Sequence, residues 1–116
     1  MSRRIRIKAR AKKRDHAPVF AALGDQTRLS IIRKLSDGQP QSISQLTEGT
    51  KLTRQAITKH LQVLENAGLV RSVRSGRENL FKLDRRPIDE LKEYLDLVSA
   101  QWDETLSRFK SFVERD

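Results

Sequence analysis

Between Leu52 and Val70 the chain alternates apolar and polar residues at a helical period. Ile57, Leu61 and Leu64 make a narrow apolar stripe. Arg54, Gln55, Thr58, Lys59 and Gln62 gather on the other side, because residues three and four apart are neighbours on a helix surface. Thr53 is placed to cap the start and Gly68 to end the helix in a left-handed conformation. Upstream, Ser44 is a candidate cap for a short helix with Leu46 as its core contact, and Gly49 marks the stop. Pro18 opens a first helix over Val19-Phe20-Ala21-Ala22-Leu23. Asp25 caps a second whose stripe is Leu29, Ile32 and Leu35, ending at Asp37-Gly38.

Downstream of Gly68 the period changes. Val70 and Val73 favour extended structure with Arg71 and Arg74 interleaved, Ser75-Gly76-Arg77 supplies a turn, and Asn79 to Leu83 alternates again. These segments predict a β-hairpin. Pro87 then starts the longest helix, about 87–114, with Asp89, Glu90 and Glu93 in its first turns, where the helix dipole favours acids. Its apolar positions are Ile88, Leu91, Leu95, Val98, Trp102, Leu106, Phe109 and Val113, a spacing close to a coiled-coil seam. Tyr94, Leu97 and Phe112 lie off that stripe. At 1.5 Å per residue such a helix is about 40 Å long, more than so small a domain needs to cover its own core. Its surplus apolar length points to a dimer interface, with Val19, Phe20 and Leu23 of the first helix and Leu91, Leu95, Val98, Trp102, Leu106 and Phe109 of the last. Intramolecular packing alone is the other reading. Trp102 is the candidate central anchor.

A capped helix with a core stripe and a face of Arg, Gln, Thr and Lys has the form of a DNA recognition helix. Arg and Lys pair with guanine, Gln with adenine, and Thr with a thymine methyl or an acceptor. The plainer reading is a surface helix whose polar face is only solvated. A short helix and a glycine turn before it complete a helix-turn-helix, and the hairpin after it makes a wing. Arg74 and Arg77 near the wing tip suit phosphate or minor-groove contact. The predicted DNA contacts are therefore Thr53, Arg54, Gln55, Thr58, Lys59, Gln62, Arg74 and Arg77. The fold class is mainly α with a small β-hairpin, a winged helix-turn-helix.

Three blocks of this chain resemble the ArsR (arsenical-repressor-type) bacterial winged-helix regulators. Asp25-Gln26-Thr27-Arg28 with Ile31 to Leu35 is similar to the family's D-x-T-R-x-x-I-L-x-x-L opening. Ile57-Thr58-Lys59-His60-Leu61 through Ala67-Gly68-Leu69-Val70 resembles its S-K/R-H-L-x-x-L-x-x-A-G-L-V block. Arg74-Ser75-Gly76-Arg77 followed by Phe81-Lys82-Leu83 resembles its R-x-G-R…Y-x-L wing. The resemblance covers about residues 18 to 113. It implies a homodimeric transcriptional regulator, usually a repressor released by an effector, acting on double-stranded operator DNA. Arg28 in the T-R-L segment is either a DNA or an intramolecular contact, and the intramolecular role is favoured.

Charge sharpens the picture. The 116 residues carry a formal net charge of +9. Residues 1 to 14 hold eight Lys or Arg and no acid, whereas residues 85 to 116 have six basic against eight acidic groups. The last segment is not drawn to DNA by its charge; the first is. Residues 1–15 form a basic arm, expected to be flexible, and residues 16–116 the winged domain. The arm is either a DNA-following tail that adds sequence-independent affinity by counterion release, or a solvated extension. Arg4 to Lys8 alternates and can pair as an edge strand.

Other classes fall away. No run approaches the roughly 20 apolar residues of a membrane span, and no apolar signal core follows the N-terminal charge, so a cytoplasmic location is expected. No phosphate loop, H-E-x-x-H or nucleophile elbow is present, and no enzyme is expected. There is no Cys, which rules out thiolate metal ligation and thiol sensing. Asp96, Asp103 and Glu104 of the long helix have no His beside them, and strong transition-metal sites generally use imidazole or thiolate. His16 and His60 are expected to be lone surface or DNA-proximal residues. Neither a metal nor a cofactor is expected, and the effector is open. The competing functional class is a winged-helix protein-interaction module without sequence-specific DNA binding.

Overall fold

Each of the first four helices begins where a side chain satisfies an amide that the helix itself leaves orphaned. The computed structural model describes residues 15–115, so the basic arm lies outside the described residues except for Asp15. Asp15 Oδ1 accepts from the Ala17 amide at 3.0 Å, where α1 (Ala17–Leu23) starts. Asp25 Oδ2 accepts from the Arg28 amide at 3.0 Å and opens α2 (Gln26–Lys34). Ser42 and Gln45 exchange bonds in a capping box at α3 (Ile43–Thr47), at 3.1 and 2.8 Å. Thr53 Oγ1 accepts from Ala56 at 3.1 Å and opens α4 (Arg54–Asn66). Such a cap contributes about 1 kcal/mol. The cap expected at Ser44 is two residues earlier, because Gln45, not Thr47, is the residue that reaches back.

The end of α4 follows from its sequence just as directly. Gly68 takes φ +79°, and the Leu69 and Gly68 amides donate to the Leu64 and Glu65 carbonyls at 2.9 and 3.0 Å. This is a Schellman motif, and its hydrophobic clasp, Leu64 against Leu69 by position, is fully buried at both residues. The chain is thereby turned straight into β2 (Val70–Ser75), which pairs with β3 (Glu78–Leu83) in the register Val70↔Leu83 to Ser75↔Glu78. Gly76, at φ +61°, supplies the first central residue of the two-residue turn, as a type II′ hairpin requires.

A third strand was not foreseen. β1 (Gln41–Ser42) pairs antiparallel with β3, Gln41↔Phe81 and Ser42↔Leu80, giving the sheet order β1-β3-β2. Two residues are too few to show alternation in sequence.

The chain divides after Asp84 into two compact units. The core of the first is built from Val19, Ala22, Ile31, Leu35, Leu46, Ile57, Leu61, Leu64, Leu69, Val70 and Phe81. The stripe expected on α2 is corrected: Ile31 and Leu35 point inward, one turn apart, while Leu29 is exposed. Leu29 lies two residues, about 200°, from Ile31, so it faces the other way. Val19 is also corrected, being 3% exposed and committed to this core, so it offers no surface to a partner.

The second unit holds α5 (Arg86–Glu114), 29 residues and about 43 Å long. Pro87 and Leu91 are buried near its start, Leu91 to 5% exposure, so Leu91 too is corrected as an interface residue. Beyond it, Tyr94, Leu95, Leu97, Val98, Trp102, Leu106, Phe109, Phe112 and Val113 are all exposed, Trp102 to 61% and Phe112 to 70%. Exposed ion pairs join Arg85, which precedes this helix, to Asp89 at 3.6 Å and Arg108 to Glu104 at 3.1 Å. Surface pairs of this kind contribute well under about 1 kcal/mol each.

Candidate nucleic-acid interface

The turn between α3 and α4 sets the polar face of α4 outward. Gly49, at φ +78°, follows the last turn of α3, and the Thr50 hydroxyl donates to the Thr47 carbonyl and accepts from the Leu52 amide, fixing the path to Thr53. With Ile57, Leu61 and Leu64 anchored in the core, a groove of about 500 Å³ opens along the far side of α4. It is lined by Ile43, Arg54, Gln55, Thr58, Lys59 and Gln62. Five of the residues predicted as base or phosphate contacts are thus brought together.

Their side chains are not equivalent. Among the described residues, no hydrogen bond or ion pair engages the side chains of Arg54, Gln55, Lys59 or Gln62, so their donors are available outward. The Thr58 hydroxyl instead donates to the Arg54 carbonyl at 2.8 Å. Its proton is committed, so Thr58 presents a methyl and a lone pair, and the expected donation to a base acceptor is corrected to acceptance or methyl contact. Thr53 has its oxygen occupied by the Ala56 amide and keeps its proton for an outward acceptor.

A second cleft of about 260 Å³ lies between the start of α4 and the hairpin tip, lined by Ser42, Ile43, Ser44, Arg54, Arg77, Glu78 and Asn79. It joins Arg77 of the wing to Arg54 of the helix. Arg74 is not among its lining residues; its Nε donates to the Gly76 carbonyl at 3.3 Å, across the turn. Ser42 and Asn79 carry no site signal in the sequence, and Ser44 only that of a candidate helix cap. They reach the cleft through the β1–β3 pairing, for which no local pattern exists.

His60 is the clearest departure from expectation. It is half-buried, and its Nδ1 lies 3.2 Å from Arg28 Nη1 and 3.8 Å from Asp25 Oδ2. Arg28 also donates from Nε to the Ala22 carbonyl at 2.6 Å and from Nη2 to that of Ala21 at 3.5 Å. Arg28 is therefore intramolecular, as favoured, and His60 is its partner rather than a lone surface residue. The Arg28 amide, aided by the charge of Arg28, the adjacent His60 ring and the Thr27 amide, holds the Asp25 carboxyl below its ordinary value of 3.8, against the opposing effect of desolvation.

The lowered Asp25 value has a consequence for acid stability. The stabilisation from its charge is complete above the ordinary carboxylate range and is lost as pH falls through the lowered one. Asp25→Asn keeps a capping oxygen without the charge. Melting temperatures measured from neutral pH to below about pH 4 should show a shallower acid decline in the variant than in the wild type. Parallel declines would remove Asp25 from the account.

A helix-turn-helix with an outward Arg/Gln/Lys face, followed by a hairpin with arginines at its tip, defines a winged helix-turn-helix DNA-binding transcriptional regulator. Known proteins agree. Residues 25–72 match the bacterial regulatory protein, arsR family. The uncharacterized HTH-type transcriptional regulator YuzN of Bacillus subtilis is 40% identical over 79 residues, covering 63% of this chain and 86% of that protein. An ArsR-like transcriptional regulator from Rhodococcus sp. RHA1 superposes with a TM-score of 0.74 at 37% identity, covering 90% of this chain and 95% of that one. A homodimeric winged helix-turn-helix DNA-binding domain from Mycobacterium bovis, solved by NMR, has a TM-score of 0.56 at 25% identity, covering 79% and 82%. This chain belongs to the ArsR family.

Proposed function

We propose that the protein is a repressor acting as a homodimer on an imperfectly palindromic operator, and that metal ions do not release it. The groove along α4 carries this reading, because it aligns Arg54, Gln55, Thr58, Lys59 and Gln62 on one unobstructed face. Two such helices related by a twofold axis meet successive major grooves about one helical turn apart. Arg74 and Arg77 of each wing, with Thr53, contact phosphates or a narrow minor groove. The basic arm adds sequence-independent attraction.

Dimerisation runs through Phe20 and Leu23 of α1 and Leu95, Val98, Trp102, Leu106 and Phe109 of α5. It is supported by the exposure of these α5 side chains in the single chain and by the homodimeric M. bovis domain. Metal independence rests on the absence of Cys and of any His on α5. No described helix is long and apolar enough to cross a membrane. A cytoplasmic repressor whose operator overlaps a promoter acts by occluding it, and no enzymatic step is required.

The test is binding to a duplex from the gene's own upstream region and to a scrambled duplex, each at two salt concentrations. Preference for the first and a steep salt dependence are expected; equal, negligible affinity for both leaves the protein-interaction module as the better account. Stoichiometric zinc that released the DNA, reversibly with chelator, would overturn metal independence. Within the groove, Gln55→Ala should cost about 1–3 kcal/mol at the operator positions it reads and relax discrimination there. Binding to single-base operator variants checks this, and unchanged discrimination would remove Gln55 from the base-reading set. Replacing Arg74 and Arg77 together by Ala should weaken binding without changing the dimer seen in sedimentation.

A further inference from the structure

We infer that His60 is a positioning residue, a neutral hydrogen-bond acceptor that latches the recognition helix to the end of α1 through Arg28. The inference rests on the operator-binding reading above. A guanidinium has five N–H donors and no acceptor. At 3.2 Å from Arg28 Nη1, His60 Nδ1 must therefore accept, and the imidazole proton sits on Nε2. The same guanidinium holds the Ala22 and Ala21 carbonyls at the C-terminal end of α1. Asp25 completes the arrangement, receiving the Arg28 amide at the start of α2. One planar fork thus spans α1, α2 and α4.

What the latch fixes is the rotation and slide of α4. Ile57, Leu61 and Leu64 hold the helix by apolar contact, which is tolerant of small sliding, whereas a hydrogen bond weakens steeply with distance and angle. Sites that read atoms need their supports held within about 0.5 Å. His60 stands one residue beyond Lys59 and two beyond Thr58, so its anchoring sets the register of the groove.

Against His60 Nδ1 stand Arg28 Nη1 of α2 at 3.2 Å and Oδ2 of Asp25, the cap of that helix, at 3.8 Å. Removing the acceptor at position 60 opens the latch. Sequence-specific binding should then weaken, while non-specific binding, which needs no exact register, should not.

The experiment compares wild type, His60→Gln and His60→Ala on a duplex selected by the wild-type protein from a random library, and on a scrambled duplex, at one pH. Gln keeps an acceptor oxygen in place of the ring nitrogen. Expected are a selected-to-scrambled affinity ratio in His60→Gln near the wild-type value, and a ratio at least tenfold lower in His60→Ala, with binding to the scrambled duplex unchanged in both. A loss in His60→Ala shared equally by the two duplexes would make His60 a direct phosphate contact and overturn the latch. So would a His60→Gln variant that folds but discriminates as poorly as His60→Ala. Failure of the wild type to select any sequence would instead strike the operator reading itself.

Discussion

Glutamate placed at both Leu95 and Trp102 is expected to leave a folded monomer that has lost most of its operator affinity. Both side chains are exposed in the single chain, at 51% and 61%, so the substitutions remove no core side chain of the protomer. In the proposed dimer they lie in a desolvated seam, where an unpaired carboxylate is strongly unfavourable. Separating two half-site readers also removes the gain from tethering one beside the other, about 10²- to 10⁴-fold in affinity. Sedimentation would show the monomer and circular dichroism an intact helical signal. A double variant that remains dimeric would place the interface elsewhere.

The second large effect is in the core. Leu64 is fully buried, and its carbonyl receives the Leu69 amide that closes α4. Leu64→Ala is expected to cost about 2–5 kcal/mol through lost burial and the cavity left behind. Against a total of about 5–15 kcal/mol for a domain of this kind, that is a substantial fraction. Val63, its neighbour in sequence, is 39% exposed, and Val63→Ala should cost less than about 1 kcal/mol. Urea midpoints at unchanged slope would measure both. Equal losses would contradict the inward phase of α4.

The features legible in the sequence are those whose causes are local. Asp25 and Thr53 cap the helices they precede, and Gly68 ends α4 in the left-handed region, because each interaction closes within about five residues. The polar face of α4 was readable for the same reason, since helical geometry alone puts Arg54, Gln55, Thr58, Lys59 and Gln62 together. Ambiguity enters where two phases fit. On α2, Ile31 and Ile32 are adjacent, and only packing selects Ile31 over a stripe through Leu29. Val19 and Leu91 show the same limit, for an apolar residue looks alike in sequence whether its own fold or a partner covers it.

Long-range pairings left no trace at all. Gln41–Ser42 is a strand only through its pairing with β3, and the short helix after it is capped at Ser42 by the box with Gln45 rather than at Ser44. Arg28 and His60 are 32 residues apart, so a histidine that serves as an acceptor looked like an isolated one. The wing tip and the start of α4 share a cleft for an equally non-local reason.

The division of labour along α4 has a consequence for how this protein can change. Ile57, Leu61 and Leu64 carry the fold, and Gln55, Lys59 and Gln62 carry none of it, being exposed and unbonded. If they read the operator as proposed, exchanges at those three positions would alter which DNA is bound at a folding cost within about 0.5 kcal/mol each. A duplicated gene can drift toward a new set of promoters one outward residue at a time, through intermediates that all remain folded. Target choice is free to diverge while the scaffold stays under constraint.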